Sequence, residues 1–252
     1  MKKGEVTNGD YLEFLDSFKS SDSLKLKTVL PDTLVWRTPL AYNEPYTKYY
    51  LRHPSYQGYP VVGVSHEQAK LYCQWLTKKY NQNPDHAFKK VIYRLPTEHE
   101  WVYAAQGGSA SAIYPWAGRY MRASNCDMMA NCSNFGTEGV YRDTLYEKDV
   151  NGEFKEVYIY RASRYDYMGA AGALNDAADI TAPAISYWPN NYGLYNMAGN
   201  ICEMVAEVGI THGGSWRDPG AYLQNSARQF YKGEQSASSK RGFRYVIEVV
   251  EY

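Results

Sequence analysis

The thiol and imidazole side chains are the groups in this sequence that could ligate a metal or act as nucleophiles. The four cysteines are Cys73, Cys126, Cys132 and Cys202, and five histidines are scattered along the chain. No CxxC pair occurs, and the histidine spacing does not match a zinc site. Cys126 and Cys132, six residues apart in a polar loop, could form a disulfide, whereas the apolar surroundings of Cys73 and Cys202 predict buried thiols.

The stretch His212-Gly213-Gly214-Ser215 places a hydroxyl near an imidazole. A hydrolase nucleophile lies in Gly-x-Ser-x-Gly, and this stretch lacks that pattern. Consecutive glycines are instead typical of a place where two backbones approach closely. His66 follows the N-cap residue of a predicted helix, where we expect it to be partly exposed and inert.

The charge balance and the hydrophobic fraction of the sequence disfavour several classes of protein. The 27 Lys and Arg balance the 27 Asp and Glu, which disfavours binding to nucleic acid through its phosphates. The hydrophobic fraction of 44% disfavours a disordered chain, and no apolar run is long enough for a membrane span. Tyrosine is frequent, at 26 residues against 7 Phe and 6 Trp. These rings either fill a loop-rich core or form a binding surface.

Capping signals predict three short helices. Thr7, Ser65 and Thr97 are each followed three residues later by an acidic or amide side chain, which is the pattern of a capping box. Apolar residues such as Tyr11 and Phe14 then recur at helical spacing. The sequence therefore places a helix after each of the three caps.

Short strands and loops fill the remaining sequence. An Asn-Gly pair in residues 149–154 predicts a hairpin, and residues 244–250 predict a closing strand. Lys2 and Lys3 are not followed by the apolar core of a signal peptide. Since no repeat or break in composition divides the chain, we predict one irregular, loop-rich α+β domain over residues 1–252.

Four ordered motifs carry a family resemblance. They are Tyr59–Ser65 before the second helix, Arg94–Trp101, Asn191–Asn200 with Glu203, and Gly213–Trp216 closing with Gly242–Arg244. In this order and spacing the chain resembles the formylglycine-generating enzyme, or sulfatase-modifying factor, family over nearly its whole length. The resemblance implies a C-type-lectin-like fold with a few short helices and small antiparallel sheets, supported by calcium.

Further stretches are similar to a subgroup of that family. Leu30–Trp36, Tyr42–Pro45, Arg52–Pro54 and Asp166–Gly169 resemble the gliding-motility lipoproteins of Bacteroidetes, the J and K members associated with type IX secretion. This implies a periplasmic or outer-membrane-associated protein whose partners belong to a secretion or motility complex. Set against the resemblance, we expect the sequence as given to lack the lipidated start and the first strands of those proteins. We expect residues 136–170 to be a subgroup-specific insertion that contains the hairpin.

The cysteines that the family's copper chemistry requires are absent from this sequence. The enzymes use two cysteines between the Gly-Gly-Ser and Gly-Phe-Arg motifs to bind copper and activate oxygen, whereas Trp216–Arg228 contains no cysteine. The His-x3-His-x-Glu iron site of the related sulfoxide synthases is missing too. The sequence thus predicts no copper and no catalytic residues. An enzyme with altered chemistry, the alternative, would need titratable groups near His212, Arg217, Asp218 and Arg228.

The resemblance also implies two structural calcium sites built from side-chain and carbonyl oxygens. The first set is Asn196, Gly199, Ile201 and Glu203. The second set is Asn131, Cys132, Asp176 and Ala178, with Asn134 and Phe135 as the alternative to Asn131 and Cys132. Hard oxygen ligands on tight loops suit calcium. The alternative is that these polar side chains only satisfy backbone groups of turns.

Two clusters of tyrosines fall in the subgroup-specific segments and predict a partner-binding face. The residues expected to contact a partner are Tyr46, Tyr49 and Tyr50, because tyrosine offers large, rigid contact area. The sequence as a whole predicts a non-catalytic, lectin-like scaffold that binds proteins. A ligand-display protein of the same fold is a further alternative.

Overall fold

The three capped helices form as predicted. The computed structural model describes residues 1–19, 23–37, 43–84, 87–124, 127–133, 140–148, 152–162, 178, 180–233 and 235–252. Its α-helices are α1 (Asn8–Lys19), α2 (Ser23–Val29), α3 (Tyr46–Tyr49), α4 (His66–Gln82) and α5 (Glu98–Gln106). Reciprocal capping boxes begin α4 at Ser65 and α5 at Thr97, and Thr7 exchanges the same two bonds with Asp10 at α1. The caps therefore fix where these helices start.

The strands are short and fall into three small sheets within the described residues. They are β1 (Lys90–Arg94), β2 (Val140–Lys148), β3 (Phe154–Ala162), β4 (Cys202–Met204), β5 (Ile210–His212), β6 (Gln229–Phe230), β7 (Arg241–Phe243) and β8 (Val246–Glu251). β1 pairs with β8, β2 with β3, and the third sheet has the order β6-β5-β4-β7. The pairing of β4 with β7 is parallel, so the expectation of purely antiparallel sheets is wrong for that pair.

The hairpin prediction is confirmed and its turn is longer than expected. β2 and β3 pair antiparallel up to Lys148 and Phe154, so five residues separate the paired ends instead of the two of a type I′ turn. Residues 149–151 of that turn and residues 134–139 and 163–177 of the expected insertion lie outside the described residues. The closing strand begins at Val246 and not at Arg244, because its partner β1 ends at Arg94, which pairs with Val246.

The main core lies between α1, α4 and the end of the third sheet. Tyr11, Phe14 and Tyr72 contact one another through their rings, and Tyr72 also meets Phe243 of β7. Edge-to-face and offset aromatic contacts of this kind stabilise a core beyond the area that they bury. This cluster holds the two helices against the sheet from which the site residues project.

His66 corrects one sequence expectation. Its side chain is buried, and Nε2 lies 2.8 Å from the carbonyl oxygen of Val205. The ring therefore ties the start of α4 to the residue after β4. The first turn of a capped helix is exposed only when no loop covers it. Here Val205, directly after β4, covers the imidazole.

The N-terminal segment, residues 2–6, forms backbone hydrogen bonds with two distant parts of the chain. Lys2 N–H donates to the carbonyl of Tyr245 (3.0 Å), and Val6 N–H donates to the carbonyl of Phe243 (3.0 Å). Val61 N–H in turn donates to the carbonyl of Val6 (2.8 Å). The first residues thus bridge the chain's last strands and the segment before α4. No helix among the described residues is both long and apolar enough to cross a bilayer.

Candidate functional site

A buried ion pair stands at the centre of the motif residues. Glu203 of β4 and Arg244 after β7 are both inaccessible to solvent. Arg244 Nη2 lies 2.5 Å from Glu203 Oε1, and Arg244 Nε lies 2.7 Å from Oε2. The indole N–H of Trp101 donates to the same Oε2 at 2.7 Å. Both oxygens of the carboxylate are therefore satisfied by protein donors.

Arg244 also forms hydrogen bonds with the surrounding backbone. Its guanidinium donates to the carbonyls of Lys2 and Lys3 at 3.3 Å and to that of Tyr195 at 2.9 Å. A buried charge persists only where a partner and hydrogen bonds replace its hydration. The bonds of Arg244 thus link the N-terminal segment, the 195–201 loop and the sheet.

Next to this pair lies a second buried carboxylate, that of Glu5. Its oxygens accept amide N–H groups from Asn200 at 2.8 Å and Asn196 at 3.2 Å. Burial raises the pKa of Glu5 to about 8. The Asn200 amide is oriented by Ala182, whose N–H it accepts and to whose carbonyl it donates, so its N–H side must face Glu5.

The first expected calcium set lies in this region. The Asn196 side chain presents its N–H₂ to Glu5 and to the carbonyl of Pro183, while Glu203 is neutralised by Arg244. Ile201 is buried, and the N–H of Gly199 donates to the carbonyl of Gly213. Since calcium prefers free oxygen ligands, the side chains of this set, as they are arranged, fit the ion poorly.

The second expected calcium set is only partly within the described residues. Asn131 Nδ2 donates to the carbonyl of Ile180 at 2.7 Å, which leaves Oδ1 buried without a hydrogen-bond partner. Cys132 is buried beside it, and Ala178 lies half-buried in its loop. Asp176, like Asn134 and Phe135 of the alternative, lies outside the described residues. An orphaned carbonyl oxygen is a group that a cation could satisfy.

On the other side of Trp101, His212 belongs to a charged cluster. Its ring stacks on the indole with centroids 5.1 Å apart, and Nε2 lies 2.9 Å from Glu98 Oε1. Arg228 binds both oxygens of Glu98 and also reaches Glu147 of β2 at 2.8 Å. Burial alone would raise the pKa of Glu98, but the bonds from His212 and Arg228 lower it to about 2.

Ser215 belongs to a different cluster from His212. Its hydroxyl donates to Asp218 Oδ2 at 2.5 Å, and Lys240 Nζ lies 3.0 Å from Asp218 Oδ1. The charge of Asp218 raises the pKa of Lys240. A serine that donates to a carboxylate and has no imidazole beside it is not activated as a nucleophile.

Gly213 and Gly214 separate the two clusters, and the prediction of a close backbone approach at this point is confirmed. Both have positive φ angles, 87° and 67°. A Cβ at Gly213 would lie 3.1 Å from the carbonyl oxygen of Met197, and one at Gly214 would lie 2.6 Å from a methyl of Leu223. The glycines therefore let the chain turn His212 and Ser215 in different directions.

The described thiols are in environments that make them unreactive. Cys73, Cys132 and Cys202 are free and buried. Burial raises the pKa of Cys73 and Cys132 to about 12 and that of Cys202 to about 11. These groups are thus protonated at neutral pH and poor as nucleophiles or metal ligands. The free thiol of Cys132 contradicts a disulfide with Cys126, which lies outside the described residues.

The expected partner-binding tyrosines lie in different environments. Tyr50 is 2% exposed, and its hydroxyl lies 2.7 Å from both the Pro60 carbonyl oxygen and Thr181 Oγ1. Its assignment to a partner-binding face is therefore wrong, because the ring is part of the core around Trp36. Tyr46 is half-buried against the same indole. Tyr49 is 54% exposed and is available to a partner.

The sequence alone did not single out three residues that organise the site. Glu5, Glu98 and Lys240 looked like ordinary surface charges, and Glu98 has the acidic character that any first helical turn favours. Among the His, Cys, Asp and Glu residues that the structure describes, no group of three or more is placed to hold a metal. The described polar groups bind one another and form no activated nucleophile.

The comparisons with known proteins agree with this fold and these motifs. The model of the sulfatase-modifying factor enzyme 1-like domain matches residues 1–249. The chain belongs to this family, whose fold is C-type-lectin-like.

Individual relatives include a protein that is named inactive and one that is named as the enzyme. The chain is 24% identical to inactive C-alpha-formylglycine-generating enzyme 2 of Mus musculus over a 278-residue alignment, covering 95% of this chain and 71% of that protein. It is 30% identical to the formylglycine-generating enzyme of Thermomonospora curvata over 149 residues, covering 59% of this chain and 33% of that enzyme.

A solved structure supports the fold. PvdO from Pseudomonas aeruginosa aligns with a TM-score of 0.50 and 18% sequence identity, covering 77% of this chain and 63% of that chain. The chain therefore spans less than two thirds of PvdO. At this identity the similarity concerns the fold alone.

Arg244→Met should destabilise the fold by about 3 to 5 kcal/mol, because it leaves the Glu203 carboxylate buried without its cation. Chemical denaturation followed by fluorescence would measure the loss. The matched control is Arg37→Met, which breaks the exposed pair with Glu44 and should leave the free energy of unfolding almost unchanged. Equal effects of the two substitutions would contradict a central role for the buried pair.

Glu98→Gln should destabilise the protein at pH 7, by about 2 kcal/mol, and have progressively less effect in acid. The pKa of Glu98 is lower in the folded chain than its ordinary value of 4.5. The ionised carboxylate therefore stabilises the fold above pH 4.5, and this stabilisation is lost as the pH falls towards 2. Denaturation midpoints measured between pH 2.5 and 7 would test this, with exposed Glu251→Gln as a control that should show little effect throughout.

Proposed function

We propose that this chain is a non-catalytic member of its family that serves as a scaffold for protein partners. The observation that carries the proposal is the segment Trp216–Arg228 between the Gly-Gly-Ser and Gly-Phe-Arg motifs, which contains no cysteine. Copper-dependent activation of oxygen by this family needs two thiolates there. The described thiols elsewhere are buried and protonated, so they are no substitute.

The geometry of the polar clusters supports the same proposal. His212 is bonded to Glu98, and Ser215 is bonded to Asp218, so the imidazole and the hydroxyl do not act on each other. An enzyme with altered chemistry would need a poised acid, base or nucleophile in this region. No described group there has that character. The similarity to a mouse protein named inactive, along 95% of this chain, is compatible with a binding role.

A finer assignment rests on the subgroup motifs. We propose that the chain acts as the gliding-motility lipoproteins of Bacteroidetes do, in the periplasm or at the outer membrane, with type IX secretion or motility proteins as partners. The stretches Leu30–Trp36 and Arg52–Pro54 support this proposal. A signal sequence followed by a lipobox cysteine in the precursor would support the compartment, and a precursor without either would count against it.

Oxygen consumption tests the absence of catalysis. Purified protein loaded with copper and given a thiol-containing sulfatase peptide should consume no oxygen above the rate of copper and peptide alone. An active formylglycine-generating enzyme treated in the same way serves as the positive control. Protein-dependent turnover would refute the proposal.

A cross-linking experiment tests the scaffold role directly. A photo-reactive benzoylphenylalanine in place of Tyr49, which is exposed, should trap a discrete envelope protein in living cells. The same group in place of Leu24, 74% exposed, controls for random collisions. Equal cross-linking of many proteins from both positions would argue against a partner-binding face at Tyr49.

We further propose structural calcium at the second ligand set. The orphaned Asn131 Oδ1 supports this. After treatment with chelator, added calcium should raise the melting temperature of the protein, since a ligand that binds the folded state stabilises it by mass action. Asn131→Ala should abolish that increase. Asn225→Ala is a matched control, because its Oδ1 is likewise buried without a partner but lies outside the ligand set. An unchanged response in Asn131→Ala would refute the site.

A further inference from the structure

Two exposed tyrosines lie side by side on the surface, one on α5 and one in the loop before Asn196. α5 buries Trp101 and Ala105, so Tyr103 lies on its solvent face and is 64% exposed, while Tyr192 is 46% exposed. Their ring centroids are 5.8 Å apart, and the Tyr192 hydroxyl donates to that of Tyr103 at 3.1 Å. Because the two oxygens are closer than the ring centres, the hydroxyl-bearing edges of the rings converge.

A buried asparagine fixes the positions of these two residues relative to each other. The Asn190 Nδ2 group donates to the carbonyl of Ala104 at 2.7 Å and to that of Ala105 at 3.3 Å, near the end of α5. Its Oδ1 accepts the N–H of Tyr192 at 3.0 Å. One buried amide therefore joins the loop that carries Tyr192 to the helix that carries Tyr103.

The Tyr192 ring also lies against the backbone that follows α5. Gly107 ends the helix with a φ of 58°, a conformation that glycine adopts without strain. A Cβ at the next residue, Gly108, would lie 3.4 Å from the Tyr192 hydroxyl and 3.6 Å from its ring. The backbone therefore supports the ring in the position from which it contacts Tyr103.

A pair of phenols arranged in this way is suited to oxidative coupling. Removal of one electron and the hydroxyl proton from a phenol gives a phenoxyl radical. Its unpaired electron is shared between the oxygen and the ring carbons, including the two carbons next to the hydroxyl-bearing carbon. Those carbons lie on the edges that converge here. Two radicals held in contact couple in an effectively unimolecular step.

We propose that Tyr103 and Tyr192 form an oxidative modification site, at which a haem peroxidase with hydrogen peroxide cross-links the two rings and thereby stabilises the fold. Each phenol gives up one electron and one proton, and a C–C bond forms between the carbons next to the two hydroxyl-bearing carbons. The hydrogen on each joined carbon then moves to the oxygen, which restores both phenols. The chain loses two hydrogen atoms in all, and one hydrogen peroxide is reduced to two waters. The inference is independent of the proposed function.

Two other tyrosine pairs show why exposure matters. The rings of Tyr56 and Tyr59 have centroids 5.1 Å apart, but both residues are half-buried and the rings meet edge to face. Another pair, Tyr93 and Tyr245, has centroids 5.2 Å apart and is half-buried as well. An oxidising protein reaches exposed rings first, which favours the pair on α5 and the 190–193 loop.

The cross-link should stabilise the chain in the manner of a disulfide. It joins residues that are 89 positions apart, and a bond that closes a long loop lowers the entropy of the unfolded state. We expect the melting temperature of the cross-linked chain to lie about 5 to 10 °C above that of the untreated chain.

Peroxidase treatment of dilute protein tests the site. The monomer should gain the fluorescence of dityrosine, and digestion should release a linked peptide that contains residues 103 and 192 and is two hydrogen atoms lighter than its two parts. Because the coupling is intramolecular, the yield per chain should not change on dilution. Cross-links between chains would instead decrease on dilution.

Conservative substitutions identify the rings that react. Tyr103→Phe and Tyr192→Phe keep the ring but remove the oxidisable hydroxyl, so each should lose nearly all of the fluorescence while the melting temperature before oxidation stays close to that of the parent. The control is Tyr120→Phe, because Tyr120 is 78% exposed and shares no hydroxyl–hydroxyl bond with a tyrosine that the structure describes. It should keep the full yield.

Three results would overturn the proposal. They are undiminished monomer fluorescence in Tyr192→Phe, cross-links that form only between chains, and a melting temperature that does not rise in the cross-linked chain.

Discussion

The buried ion pair between Arg244 and Glu203 is the interaction on which the rest of the fold depends. Apart from β2 and β3, the described strands have two to six residues, and long loops must satisfy their backbone groups by other means. Arg244 does this for the N-terminal segment and the 195–201 loop at once, and Glu203 contacts α5 through Trp101. One desolvated charge pair thereby holds together segments that no sheet connects.

Ion pairing also explains why a site with many titratable groups need not be catalytic. The His212 and Ser215 clusters beside Gly213 and Gly214 point away from each other, and the carboxylate of each cluster is paired with a cation. The bonds of Glu98 to His212 and Arg228 also tie the β2–β3 hairpin to the core through Glu147. A family scaffold that carries chemistry in its relatives here uses polar groups to fix loop positions.

The sequence predicted the helix starts, the hairpin, the close backbone approach at Gly213 and the family, since each rests on local residue patterns or ordered motifs. It could not predict that Tyr50 and His66 are buried, because burial depends on which distant loop covers a residue. The buried tyrosines also explain the composition. The hydroxyls of Tyr11, Tyr50 and Tyr114 donate to backbone carbonyls, which phenylalanine could not do.

The threading of the first residues between the last strands has a kinetic consequence. Glu203 and the carbonyls of Lys2 and Lys3 have to wait for Arg244, which leaves the ribosome more than 240 residues after Lys2 and Lys3. Contacts between residues more than 240 positions apart carry a large loop-closure cost before any energy is gained. We expect the core to close only once Arg244 has left the ribosome. A truncated chain that ends before Arg244 would therefore expose unpaired Glu203 and be a substrate for chaperones and proteases.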